Sequence, residues 1–274
     1  MSNVMISTSI ETKSGIFIDI TNPKPEQILL DDIFWVLARM PRFGGHSNCE
    51  EVYTVAQHLV LTANLVSWLL FDTEAVSMDI DGYDSPTVAL LNYPRVHIDQ
   101  AGVDHKTDIG KRLQTSFINY LRKKDPDNVS VRLDEVSDLA NKPMQALRCV
   151  IQALRHDWGE AYLIDLPTPI KRYGQLRAEY EKLETGVMKA IDEAHPLLRA
   201  EHHPIMDLIV KWADDQALAI EANLFIPSGG RGWMIYTKPV QANVFLDMEP
   251  LNQQLARFLL VRLHRELMRQ YYAG

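Results

Sequence analysis

Arg155-His156-Asp157-Trp158-Gly159-Glu160, continued by Ala161-Tyr162-Leu163-Ile164-Asp165-Leu166-Pro167-Thr168-Pro169-Ile170-Lys171, follows directly on an apolar, helix-patterned run, Met144 to Leu154. It sets a nitrogen ligand beside a carboxylate and adds a second carboxylate one helical turn later. Polar groups that end a buried element are costly unless they find partners. A divalent cation would satisfy all of them together. The stretch therefore points to a metal site at the end of a core helix.

Outward from there, helical periodicity dominates the chain. It predicts helices over Pro25–Arg39, with proline in the first turn, and over Glu50–Leu70, with Ser47-Asn48 as capping candidates. Further helices are expected at Lys106–Lys123, Leu133–Trp158, Tyr173–Ala194, Pro204–Leu224 and Glu249–Tyr272. Asn22-Pro23-Lys24-Pro25, Asp125-Pro126-Asp127-Asn128 and Pro227-Ser228-Gly229-Gly230 punctuate them as turns. Gly15–Ile20 and Trp233–Tyr236 are the only strand candidates, enough for a short peripheral β-hairpin or small sheet. The expected fold class is all-α: a single helical domain over residues 1–274, with an insertion at about 73–129.

Composition narrows the function. The 274 residues allow one large domain. Hydrophobic and charged fractions of 46% and 23% are those of a soluble globular protein. A net charge of −8 gives no global basic field for a nucleic-acid polymer. An anionic substrate must then be met by a local group of Arg and Lys. Cys49 and Cys149 show no paired metal spacing; free thiols in a reducing cytoplasm are expected, with one disulfide as the other option. Met1–Gly15 lacks the layout of a signal peptide. The longest apolar run, Leu59–Phe71, is interrupted by Thr62, Asn64 and Ser67 and is too short to span a bilayer. The expectation is a cytoplasmic protein with no membrane partner.

Two other helices bring polar groups to apolar surfaces. Thr54, His58 and Thr62, spaced i, i+4, i+8, form a seam through a helix rich in Val, Leu and Ala. A lone histidine on such a face is more often a hydrogen-bonded core residue than a ligand. On the Pro204–Leu224 helix, Asp215 follows Lys211 by four residues, an ordinary surface ion pair. Asp214, flanked by Val210, Ala217 and Leu218, is the aspartate expected to face the core and hold a cation. Adjacent side chains on a regular helix point about 100° apart. His156 and Asp157 can thus share one ion only at a helix end or where helices converge. Glu160, four residues after His156, is placed to handle the proton of an attacking water.

The order His58, His156-Asp157, Asp214 resembles the HD superfamily of metal-dependent phosphohydrolases. His156-Asp157-x-x-Glu160 with Asp165-Leu166-Pro167-Thr168-Pro169-Ile170-Lys171 is similar to its bacterial 5′-deoxynucleotidase branch. So are Thr54-Val55-Ala56-Gln57-His58 and Val210-Lys211-Trp212-Ala213-Asp214. Met40-Pro41-Arg42-Phe43-Gly44-Gly45-His46 resembles the Arg-aromatic motif that this branch places over phosphate and sugar. Similar blocks occur in phage enzymes that hydrolyse deoxynucleoside triphosphates. The resemblance covers about Gly15–His58 and Arg155–Leu224. Two departures stand out: His58 and His156 are 98 residues apart, more than the compact deoxynucleotidases need, and Phe43 stands where those enzymes carry Trp.

The resemblance implies an HD-domain fold and one divalent ion (Mn, Co, Zn, Mg or Fe) held by His58, His156, Asp157 and Asp214. It implies Glu160 and Asp165 as proton-handling residues, and Arg42, Phe43 and Lys171 against the substrate, with Arg172 as an alternative rim cation. The implied reaction is attack of an activated water on the 5′-phosphate of a (2′-deoxy)nucleotide. Nucleoside is released with phosphate or, from a triphosphate, with triphosphate. A homo-oligomer is a further expectation from relatives. Two alternatives belong to other classes: a dinuclear-iron HD oxygenase using His195, His202 or His203, and a non-catalytic nucleotide-binding HD protein.

Overall fold

The computed structural model describes residues 8–71, 108–171, 173–195, 203–233, 238–240 and 248–273. Ser9–Glu11 (β1) pairs antiparallel with Phe17–Asp19 (β2), Ile10 opposite Ile18. The strand predicted at Gly15–Ile20 thus finds its partner upstream, and Met234–Tyr236, the expected mate, lies outside the described residues. The buried carboxylate of Asp32 accepts hydrogen bonds from Ser14 N (3.0 Å) and Ser14 Oγ (2.6 Å). This pins the hairpin turn to the first helix, α1 (Leu30–Leu37). The predicted Pro25–Arg39 helix is broken: a 3₁₀ turn at Pro25–Gln27 gives way to extended backbone at Ile28 and Leu29. Ile28 is buried, and the extended step turns it into the core.

The second helix, α2 (Val55–Phe71), is buried at every position from Val55 to Leu70. A helix apolar on all sides must be enclosed by others. Around it lie α3 (Asp108–Lys124), α4 (Val129–Ala140), α5 (Pro143–Arg155), α9 (Pro204–Phe225) and α10 (Gln253–Ala273), with α5 and α9 packed most extensively. The helix begins later than the predicted Glu50. Thr54 and Gln57 exchange backbone-to-side-chain bonds at 3.4 Å to cap it, whereas Asn48 N donates to Phe225 O (2.9 Å).

Of the expected insertion at about 73–129, residues 108–129 are described. Leu113, Phe117, Tyr120 and Leu121 of α3 are buried, and Phe117 meets Trp212 edge-on, 5.4 Å between centroids. This segment contributes to the core; residues 73–107 lie outside the described set. The single helix predicted over Leu133–Trp158 is also divided. Pro143 opens α5, and the residue before a proline avoids the helical region; Lys142 sits at φ −117°, ψ 84°. After α5 come α6 (Glu160–Leu163), α7 (Thr168–Lys171) and α8 (Leu176–Ala194). The fold is mostly helical with one short hairpin, as the periodicity predicts. Among the described residues no helix is long and apolar enough to cross a membrane, and both cysteines are free.

Candidate metal centre

The end of α5 tightens before it stops. Trp158 N donates to Arg155 O (2.9 Å), Glu160 N to Asp157 O (3.0 Å) and Ala161 N to Trp158 O (3.1 Å). These three-residue bonds eclipse side chains at i and i+3. Asp157 and Glu160 therefore share one side, and Arg155 and Trp158 another. The expected alignment of Glu160 with His156, four residues apart, gives way to alignment with Asp157. The tight turn also lets the adjacent His156 and Asp157 both face one point.

His58, from the first turns of α2, and Asp214, from α9, meet them there. His58 Nε2 lies 3.4 Å from His156 Nε2, 3.6 Å from Asp157 Oδ2 and 3.3 Å from Asp214 Oδ1. His156 Nε2 lies 3.3 Å from Asp157 Oδ2 and 3.7 Å from Asp214 Oδ1. Ligands at about 2.1 Å from one tetrahedral ion are themselves about 3.4 Å apart. His58, His156 and Asp157 form a cluster that could hold a metal ion.

Hydrogen bonds on the far side of each ring support that fit. His156 Nδ1 is 2.7 Å from Ala153 O, and a carbonyl only accepts, so this nitrogen carries the hydrogen. His58 Nδ1 is 2.8 Å from Glu221 Oε1. Both rings thereby carry hydrogen on Nδ1 and turn Nε2 toward the other. Two Nε2 atoms at 3.4 Å need positive charge between them, as protons or as a cation.

The electrostatics agree. Burial and Arg42 disfavour charge on His58, but Glu221 and Asp214 outweigh them and raise its pKa. Burial likewise opposes charge on His156, and Asp157 and Asp214 reverse it. Asp157 is held below the usual carboxylate range: burial pushes it up, and the two histidines pull it further down. Asp214 is also held low against its burial, chiefly by His156 and His58. Lys211 bonds Asp214 at 2.6 Å and Asp215 at 2.7 Å. One expectation is corrected here: Asp215 is no surface residue but is buried more deeply than Asp214. Asp214 nonetheless is the one that reaches the histidines.

Arg42 is buried beside the cluster. Its Nη1 lies 3.4 Å from Asp165 Oδ2 and 4.0 Å from Asp157 Oδ2, and its Nη2 lies 3.6 Å from Glu221 Oε2. Burial opposes its charge, but Glu221, Asp165 and Asp157 overcome that and raise its pKa. Phe43 follows at φ +58°, a region that large side chains rarely adopt; Gly44 and Gly45 continue the turn at positive φ. The Phe43 ring is tilted against half-exposed Trp233, 5.9 Å between centroids.

Glu160 is 3% exposed. Burial first, then Asp157 and Asp165, push its pKa up to about 8, against Lys171 and Arg42. Lys171 Nζ donates to its Oε1 at 3.0 Å. Between Glu160 and Asp165 the chain turns at Ile164 with φ +66°, an outlier for a β-branched residue. Arg172 lies outside the described residues.

Glu221 escaped the sequence analysis. It is fully buried and touches His58, Arg42 and Tyr53, whose hydroxyl lies 3.1 Å from Oε1. Its position two helical turns after Asp214, on the same stripe of α9, was the available signal. The other histidines are placed elsewhere. His203 Nδ1 accepts from Ile205 N (3.2 Å) and caps α9; His195 lies near Arg155, and His202 is outside the described residues. No protein-family model matches this chain, and no curated protein matches it.

Proposed function

We propose that this chain is a metal-dependent phosphohydrolase of nucleotides, of HD type, whose metal is held by His58, His156, Asp157 and Asp214. The observation that carries the reading is that two Nε2 atoms stand 3.4 Å apart and each lies 3.3 to 3.7 Å from one oxygen of Asp157 and one of Asp214, with His58, His156 and Asp157 forming the group able to hold an ion. When bound, a divalent ion acts as a Lewis acid that lowers the pKa of water and offsets charge building on phosphorus.

The remaining chemistry belongs to the side chains. Arg42 offers a planar fork for two phosphate oxygens. Its present partners are all at 3.4 Å or more, and its Nε has none, so exchange to a phosphate loses little. Glu160, with a pKa near neutrality, accepts the proton of the attacking water or returns one to the leaving oxygen. Lys171 orients it. Asp165 sits on Arg42 and is the second group able to move a proton. Phe43 and Trp233 present aromatic surface next to Arg42, which suits a nucleoside as leaving group.

Charge balance supports a small phosphate. Among the described residues, Asp157, Glu160, Asp165, Asp214 and Glu221 face Arg42, Lys171 and Lys211. Carboxyl groups outnumber the cations, and Lys211 is shared with Asp215, so even with one divalent ion bound little countercharge is left for a triphosphate. Release of orthophosphate from a monophosphate is therefore the favoured reaction.

Incubation with dAMP and dATP under Mn²⁺ or Co²⁺ tests this. Orthophosphate from dAMP is expected; triphosphate from dATP would redirect the reading to the triphosphohydrolase class. No product from any nucleotide, with one metal bound per chain, would leave a binding protein. Two irons per chain would favour the oxygenase.

A further inference from the structure

We propose that Glu221 is a positioning residue that serves both halves of the site, setting the metal ligand His58 through one oxygen and the phosphate arm Arg42 through the other. The proposal rests on the phosphohydrolase reading and adds a residue which that reading does not need. Glu221 has no solvent exposure. Its Oε1 takes His58 Nδ1 at 2.8 Å and the Tyr53 hydroxyl at 3.1 Å. Its Oε2 has no hydrogen-bond partner and faces Arg42 Nη2 at 3.6 Å.

A buried carboxylate oxygen left without a full hydrogen bond is costly, so its placement calls for an explanation. On the histidine side, the carboxylate fixes the tautomer with hydrogen on Nδ1, aims the ring and makes Nε2 a better donor to a metal. On the arginine side, it holds the guanidinium by charge at a distance too long for a saturated pair. Arg42 is thus kept in place with hydrogens to spare for an anion. Tyr53, 1% exposed and packed at a tilt on Phe225 with ring centroids 4.6 Å apart, holds the carboxylate itself in position.

The two roles separate by substitution. Glu221→Gln keeps an oxygen to accept from His58 Nδ1 but removes the charge facing Arg42. Glu221→Ala removes both. Calorimetric titration of Co²⁺ into metal-stripped protein, followed by inorganic phosphate into the Co²⁺-loaded protein, reads each half. The visible spectrum of bound Co²⁺ reports the geometry, and circular dichroism reports the fold.

The Ala variant should lose about 10- to 100-fold in Co²⁺ affinity, with an altered Co²⁺ spectrum and weaker phosphate binding. The Gln variant should recover most of the metal affinity and the spectrum while phosphate binding stays weak. Should the Ala variant not fold, the Gln variant decides: unchanged phosphate binding there overturns the proposal. A folded Ala variant that matches wild type for both ligands also overturns it. Wild-type protein that binds no Co²⁺ brings down the phosphohydrolase reading first, and Glu221 with it.

Discussion

Two pairs of buried or half-buried histidines are held in opposite states by their neighbours. His58 and His156 stand among Asp157, Asp214 and Glu221, and both pKa values are raised despite burial. His195 and His264 stand near Arg155, Phe34 and Trp158. Burial lowers both, and His264, with His195 and Arg265 adding repulsion, falls to about 4. Burial opposes charge in both pairs, and only His58 and His156 have carboxylates beside them to overcome it. One turn serves both pairs. Its i, i+3 alignment sends Arg155 and Trp158 toward the pair whose pKa values are lowered and Asp157 and Glu160 toward the pair whose values are raised. Arg155 is in turn neutralised by an ion pair with Asp192.

The sharpest contrast comes from deleting one histidine of each pair. His156→Ala should lose more than about 100-fold in metal affinity, beyond the cost of an outer partner, and turnover should vanish with it. His195→Ala should keep one metal per chain by elemental analysis. Equal metal loss in both variants would erase the distinction.

Next in size are the pH limbs of stability in metal-free protein. Glu160 has a raised folded pKa, so its contribution is full below its unfolded value and is lost as pH rises through about 8. Glu160→Gln should flatten that alkaline limb in thermal melts. It should also lower kcat by about 10²- to 10⁴-fold while metal stays bound. His264 has a lowered folded pKa, so stability falls as pH drops from the ordinary histidine value toward about 4. His264→Leu should flatten the acid limb alone. An unchanged pH profile in either variant would show that the group replaced does not titrate as its surroundings dictate.

The smallest effect is expected inside the shared turn. Gly159 is helical, at φ −59°, and an added Cβ would meet Met188 Sδ at 3.2 Å and Cγ at 3.4 Å, both on a flexible side chain, with Val187 Cγ1 at an ordinary 3.8 Å. Gly159→Ala should leave stability within about 1 kcal/mol of wild type in denaturant titration, since lost unfolded-state freedom offsets the contact. A larger loss together with a loss of metal would mean the turn tolerates no side chain.

Much of this was legible in the residues themselves. Periodicity marked α2, α5 and α9, and polar residues on apolar helices marked His58, His156, Asp157 and Asp214. Helix ends were less visible: Pro143 divides what the apolar pattern runs together, because pattern records burial and not backbone hydrogen bonds. The burial of Asp215 was missed because Lys211, four residues earlier, suggests a solvated pair. In the folded chain Lys211 reaches inward over both aspartates. Glu221 was missed because its partners, Tyr53, His58 and Arg42, are more than 160 residues upstream. Only the packing of α9 on α2 brings them together.

Arg42 N bonds Tyr53 O at 2.9 Å, Val55 N bonds Met40 O at 3.0 Å, and Pro41 bridges Thr54. The guanidinium is thereby stitched to the root of the same helix that bears His58. On the proposed reading, anion grip and metal ligand ride on one rigid piece, so an arriving phosphate meets the two already fixed relative to each other.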